Sequence, residues 1–265
     1  MTGRLEGRRA VVVGGGQTPG ETIGNGRATA IAFAREGARV LVVDRDAERA
    51  DATVAEITAE GGEASAFVAD ATRDADCAAM IEAATERLGG VDVLHNNVGI
   101  GGGDTNAVRI TEEVWDRITG VNTRAVVFPC KHALPVMRAA GGGVITNISS
   151  VAAVCSVSII AYQASKAAIN AYTRSLAIAQ GRHGIRANVI MPGLMNTPMA
   201  IEGYVAAGRD REELVRQRNE MVPLAGGMGS AWDVAWASVF LASDEARFVT
   251  GVLLPVDGGQ SARVG

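Results

Sequence analysis

The sequence is poor in cysteine and histidine, with three of each in 265 residues. Cys77, Cys130 and Cys155 are too few and too dispersed for a disulfide framework. His95, His132 and His183 are equally scattered, and no Cys/His pair has metal-ligand spacing, so no metal site is expected. Each histidine is read as a hydrogen-bonded structural residue. Also lacking is any apolar run near the roughly 18 residues that a membrane-spanning helix needs. A net charge of -4 is the wrong sign for a nucleic-acid or anionic-membrane surface. The basic residues are spread out, and "REELVRQR" mixes both signs as a solvated helix face does. The opening "MTGRLEGRRA" has charges but no apolar signal core, which leads us to expect a cytoplasmic protein. No low-complexity tract, repeat period or Pro/Ser-rich linker divides the chain.

What is present is 48% hydrophobic residues, enough to bury a sizeable core. β-branched runs alternate with longer amphipathic stretches, the pattern of a parallel sheet covered by helices on both faces. Strands are expected at 8–14, 38–43, 65–69, 91–96, 143–148, 185–191 and 251–256. Helices are expected at about 25–36, 46–60, 73–88, 111–139, 160–181, 209–220 and 231–242. Pro129 and Pro135 predict a kink or break in the fourth helix. The reading is α/β: one Rossmann-type, doubly wound domain over 1–265 with seven parallel strands. A partly helical insertion at about 194–222, carrying Met195, Met199, Ile201, Tyr204 and Met221, is read as a lid.

The stretch "GGGQTPGETIGNG" lies between the first strand and the first helix. Gly15 to Thr22 has the glycine spacing of a nucleoside-triphosphate loop, but Glu21 stands where the lysine must meet phosphate, which argues against that use. In the other reading, Gly14 and Gly15 close the strand while Gly24 and Gly26 open the helix, whose amides face a pyrophosphate. Asp44 ends the second strand, 18 residues after Gly26, where a carboxylate can bond an adenine ribose. Further on, "NISSVAAVCSVSIIAYQASKAAI" follows the fifth strand. Tyr162 and Lys166 are four apart, hence about one helical turn from each other. A lysine so placed favours the phenolate and draws a pKa of about 10 towards the working pH. A proton donor or acceptor so poised suits carbonyl/alcohol interconversion, with Ser149 or Ser150 offering a hydroxyl to the reacting oxygen.

With these residues in order, the sequence resembles the classical short-chain dehydrogenases/reductases over almost its whole length. The resemblance rests on the glycine turn, Asp44, "ADAT", "NNVG", "VNTR", Ser150, Tyr162, Lys166, "MPGLMNTPM" and "VDGG". It implies oxidoreduction of a secondary alcohol or ketone with a nicotinamide cofactor. Tyr162 is then the general acid or base, and Lys166 bonds the nicotinamide ribose and lowers the tyrosine pKa. Ser150 holds the substrate oxygen, and Asn122 interrupts its helix and positions a water. The turn residues Gly14, Gly15, Gly24, Asn25 and Gly26 are implied at the cofactor. So are Asp44, Arg45, Asp70 and Ala71 on the adenine side, and Asn97, Val98 and Gly99 in "NNVG". Pro192, Gly193 and Thr197 border the nicotinamide, beside Tyr162 and Lys166.

Two features depart from the family. Eight residues separate Gly15 from Gly24 where three are usual, so "QTPGE" reads as an insertion. The family's serine-to-tyrosine spacing selects Ser149, whereas the match at "NISS" selects Ser150. We take Ser150, because the first serine is normally buried behind the strand end. Asp44 favours NAD over NADP, although Arg45 beside it could pair with a 2′-phosphate. An apolar pocket from Gly99–Asp104, Val151–Ile160 and Leu194–Val222 suggests a hydrophobic or cyclic alcohol or ketone. Val151, Val154, Ile159, Ile160, Met195, Met199 and Tyr204 are its expected lining. The resemblance further implies a homotetramer formed through the fourth and fifth helices. The alternatives are a dinucleotide-sensing protein without catalysis, which the filled catalytic positions oppose, and a C=C reductase. The related enoyl reductases place tyrosine and lysine seven apart, not four.

Overall fold

The computed structural model describes residues 3–155 and 158–263. Seven strands form one parallel sheet: β1 (Arg9–Val13), β2 (Arg39–Asp44), β3 (Glu63–Val68), β4 (Val93–Asn96), β5 (Gly143–Ile148), β6 (Ile185–Pro192) and β7 (Leu253–Val256). Their spatial order is β3-β2-β1-β4-β5-β6-β7. The chain therefore leaves β1 towards one edge and returns to β4 on its other side. That reversal opens a crevice at the carboxyl ends of β1 and β4.

The described residues form eight α-helices: α1 (Asn25–Arg35), α2 (Ala47–Ala59), α3 (Asp74–Leu88), α4 (Glu112–Ala139), α5 (Ile160–Gly181), α6 (Pro198–Ala206), α7 (Arg211–Glu220) and α8 (Ala231–Ala242). Of these, α1–α5 and α8 pack on the sheet, and α6 and α7 belong to the segment after β6. The two-residue period of a strand sends neighbours to opposite faces. Val11 and Val13 of β1 pack with Met80 and Ile81 of α3 and Ala125 of α4. Ala10 and Val12 pack with Ile31 and Phe33 of α1 and Val239 of α8. Each large apolar side chain buried this way contributes about 1.5–3 kcal/mol. This two-sided burial explains why the strands read as unbroken apolar runs.

Helix starts follow local chemistry. The Asp46 carboxylate caps α2 by accepting from Arg49 N, and Ser230 with Asp233 forms a capping box on α8. The expected break in the fourth helix does not occur: α4 runs uninterrupted through Asn122, Pro129 and Pro135. An interior proline costs about 3 kcal/mol. Here Val126, Pro129, Cys130, Ala133 and Met137 form one buried stripe against the sheet, and that burial outweighs the lost bonds. The run "VVFPCKHALPVM" thus serves largely the chain's own core. β3 starts two residues before its expected start. β7 is shorter than expected because Gly251, at φ +74°, turns the chain before it.

Candidate active site

The first β–α turn is built for close approach. Gly14 sits at φ +76°, and the amides of Gly14 and Gly15 both donate to Val43 O, at 2.8 and 3.0 Å. A Cβ on Gly26 would lie 1.9 Å from Gly14 O, so only glycine lets the start of α1 lie against the end of β1. Asn97 Nδ2 also donates to Gly14 O, at 3.2 Å, tying the β4 end to the turn. Gln17 closes the inserted residues on themselves. Its Nε2 donates to Thr22 O at 3.1 Å and its Oε1 accepts from Gly24 N at 2.9 Å. The insertion is folded outward, and the glycines on either side of it stay together.

The residues at this turn fit a dinucleotide. The first turn of α1 has no acidic residue, so the positive end of the helix is uncompensated. Asn25 Oδ1 is buried without a hydrogen-bond partner, an acceptor needing a donor such as a ribose hydroxyl. Asp44 is held at the end of β2, its carboxylate accepting from Gly16 N (3.2 Å) and Asp46 N (3.1 Å). Arg45 is exposed. Burial would raise the Asp70 carboxyl, but two bonds from Thr72, with the charges of Arg45 and Arg73, more than offset it and hold it below its ordinary value. Ala71, next to it, is buried, and its carbonyl accepts from Cys77 Sγ. Val98 packs beside Gly14.

Across the crevice, α5 brings Tyr162 and Lys166 to the ends of β4 and β5. Lys166 is 2% exposed; its Nζ donates to Ile148 O at 2.9 Å and lies 5.6 Å from the Tyr162 ring centroid. A Cβ on Gly99 would be 2.9 Å from that nitrogen, so the bare glycine makes room for the ammonium. The start of α5 has no capping side chain of its own. Asp104 supplies one from the β4–α4 loop, accepting from Tyr162 N at 2.7 Å and Ala161 N at 3.3 Å. From the sequence, Asp104 is expected only in the pocket wall. Its position before no helix of its own hides this contact.

The two serines diverge. Ser149 is buried, and its hydroxyl donates to Lys166 O at 2.9 Å. Ser150 is half-buried; its Oγ donates to Pro192 O at 3.5 Å and accepts from Ala152 N at 3.1 Å, and it lies near enough to the Tyr162 phenol to favour the phenolate. Asn122 is fully buried and does not interrupt α4, contrary to expectation. Its Nδ2 donates to Ile100 O (3.0 Å) and Ser165 Oγ (2.9 Å), while its Oδ1 accepts from Ile100 N (2.7 Å). These bonds dock the β4–α4 loop and α5 onto α4. Burial raises the Tyr162 pKa, against the opposing effect of the Ser150 hydroxyl. Lys166 makes no hydrogen bond to the phenol here: its ammonium sits beside the ring, bound to Ile148 O.

Burial pushes the Lys166 pKa down from 10.5 to about 8. The unfolded lysine keeps its proton to higher pH, so between about 8 and 10.5 the unfolded chain binds more protons and stability rises with pH. Below that window the buried charge destabilises the fold by about 3 kcal/mol. Lys166→Met is therefore expected to raise Tm at pH 7 by about 4 °C or more while impairing turnover. Calorimetry at pH 7 and pH 10 checks this: the gain should shrink at pH 10.

Behind the site, Gly193 N donates to Val256 O at 3.0 Å, and Leu194 N to Gln260 Oε1 at 2.7 Å. Pro192 and Thr197 are buried, Thr197 at the start of α6. Of the expected pocket lining, Val154, Met199 and Tyr204 are exposed and Val151, Ile159 and Ile160 half-buried. Met195 is not free to line a pocket, since it packs in the core with Ile148, Ile190 and Val234. Ser156 and Val157 of that wall lie outside the described residues. Among the described residues no cluster of His, Cys, Asp or Glu could hold a metal ion, and no helix is long and apolar enough to cross a membrane.

Comparison with known proteins agrees with this geometry. A family model described as Enoyl-(Acyl carrier protein) reductase matches residues 21–261. A 2,5-dichloro-2,5-cyclohexadiene-1,4-diol dehydrogenase of Sphingobium indicum is 36% identical over 268 residues and covers 100% of both chains. A solved structure described as a short-chain dehydrogenase/reductase from Burkholderia xenovorans has TM-score 0.94 and 40% identity, covering 99% of this chain and 100% of the other. A 7α-hydroxysteroid dehydrogenase solved with NADH and 7-oxo glycochenodeoxycholic acid has TM-score 0.85 and 33% identity, with 97% and 95% covered. The parallel seven-stranded sheet, the glycine turn and these full-length matches lead to one conclusion: the chain belongs to the short-chain dehydrogenase/reductase family of oxidoreductases.

Proposed function

We propose that this protein transfers a hydride between a nicotinamide dinucleotide, preferably NAD(H), and a hydrophobic or cyclic secondary alcohol or its ketone. The observation that carries the reading is the convergence of the Ser150 hydroxyl, the Tyr162 phenol and the Lys166 ammonium beside Gly99. The bound dinucleotide supplies or accepts the hydride. Gly14, Gly15, Gly24, Asn25 and Gly26 would hold its pyrophosphate end, Asp44 its adenine ribose, and Asn97–Gly99 with Pro192, Gly193 and Thr197 the nicotinamide end. Tyr162 gives its proton to the carbonyl oxygen in reduction and takes it from the hydroxyl in oxidation. Ser150 donates a hydrogen bond to that oxygen as its charge changes. Lys166 keeps a positive charge beside the phenol at neutral pH. Asn122 and Asp104 fix the start of α5 and, with it, the phenol.

The raised Tyr162 pKa suits the acid role at neutral pH and predicts that oxidation speeds up as pH rises. Ser150→Ala is expected to lose far more activity than Ser149→Ala, whose hydroxyl is spent on Lys166 O. A larger loss at Ser149 reverses the assignment. The cyclic substrates named for the relatives support a cyclic alcohol here. The family model's description names a C=C reductase, but the one-turn spacing of Tyr162 and Lys166 favours carbonyl chemistry. A panel of cyclic and linear secondary alcohols with NAD, alongside an enoyl thioester with NADH, separates the readings by nicotinamide absorbance. Turnover of the thioester alone would replace the proposal.

We further read the chain as one domain with 194–222 as its lid, working in the cytoplasm as a homotetramer. Trp115 on α4 and Ile178 on α5 are exposed apolar groups on the two helices proposed to meet. A monomeric mass by light scattering would remove the tetramer.

A further inference from the structure

The inserted residues of the glycine turn do more than loop outward. They touch the lid. A Cβ on Gly20 would lie 2.9 Å from Pro198 Cβ and 2.7 Å from Glu202 Oε1, so the Gly20 backbone rests on the first turns of α6. Arg211, the first residue of α7, spans the joint. Its Nη1 and Nη2 hold the Glu202 carboxylate at 3.1 and 2.6 Å, and its Nε lies 3.3 Å from Glu21 Oε1 in the insertion. Gln17 ties the other end of the insertion to Gly24 N, the amide at the start of α1.

The topology gives this joint its meaning. β1, β4, β5 and β6 lie side by side. The turn after β1 and the lid after β6 are thus three strand spacings apart, about 14 Å. Their contact bridges the crevice above the ends of β4 and β5, where Asn97–Gly99 and Ser149–Ser150 lie. We infer that Gln17–Thr22 is a latch that, through Gly20, Glu21, Arg211 and Glu202, holds the lid down across the dinucleotide crevice. Arg211 is thus a positioning residue that slows dinucleotide release without touching the reacting atoms. The cofactor part of this inference rests on the function proposed above.

Two readouts test it, both on the full-length protein. In the protein without cofactor, amide hydrogen exchange in α6 should be faster in Arg211→Ala than in wild type. By stopped-flow fluorescence, NADH should leave Arg211→Ala about three- to fivefold faster, the scale of a partly exposed ion pair. Wild-type release should accelerate with salt, and that of Arg211→Ala should not. Gly20→Val, which wedges the joint without removing a charge, should likewise speed both exchange and release. Faster exchange with unchanged release overturns the latch, as does faster release with unchanged exchange, which would mean that Arg211 acts on the dinucleotide directly. If wild type binds no NADH, the proposed function fails, and exchange alone then decides whether the joint holds the lid.

Discussion

Replacing Tyr162 with phenylalanine is expected to lower kcat about a hundred- to ten-thousand-fold, the range for losing a positioned general acid or base. The change removes one hydroxyl and leaves the ring, so packing against Gly101 and the cation beside the ring is kept. Dinucleotide affinity should change little. The Asp104 bond to Tyr162 N also survives, since it involves only backbone on the tyrosine side. Lys166→Ala should differ by damaging both rate and cofactor affinity. Steady-state kinetics with NADH titrations on each variant distinguish the two patterns. A Tyr162→Phe protein retaining a substantial fraction of wild-type activity would remove the phenol from the mechanism.

The second large effect concerns the adenine ribose. Asp44 is fixed at the end of β2 by two backbone donors, so its carboxylate cannot swing away cheaply. A 2′-phosphate brought to about 4 Å would meet about 4 kcal/mol of repulsion at an effective dielectric of 20. The nearby arginines offer little relief. Arg27 is paired with Glu56 and Arg49 with Asp46, which leaves exposed Arg45 as the cation next to Asp44. NAD(H) should therefore exceed NADP(H) in kcat/KM by about tenfold or more, with salt and Arg45 reducing the full repulsion. Asp44→Ala should narrow the gap. A wild-type preference for NADP(H) contradicts this reading of Asp44.

How far the sequence could be read depended on the reach of each interaction. Strands such as "RVLVVD" are buried on both faces, so their local composition announces them. Most helices carry an apolar stripe and were placed within a few residues. α6 was seen only as part of an insertion, since "PMAIEGYVA" is apolar without a clear face. The continuity of α4 was missed because local proline chemistry argued for a break, while the buried stripe that overrides it is tertiary. At the site, the spacing of Tyr162 and Lys166 was legible because it lies within one helical turn. The place of Ser150 beside the phenol, and of Ser149 under Lys166 O, depends on how the β5 end meets α5. Gln17, Asp104 and Arg211 act across loops, and no spacing in the sequence marks their partners. Met195 was misjudged for the same reason: a methionine in a loop looks available until the core around it is known.

The central claim is a direct hydride transfer between alcohol carbon and nicotinamide, with Tyr162 handling the proton. The most direct test uses the alcohol that the panel selects, deuterated at its carbinol carbon, with NAD and mass spectrometry of the recovered dinucleotide. The account predicts that the reduced dinucleotide carries the deuterium, and that its formation nearly disappears in Tyr162→Phe while NADH binding persists. Reduced dinucleotide without the label, or labelled product formed equally fast by Tyr162→Phe, would contradict it.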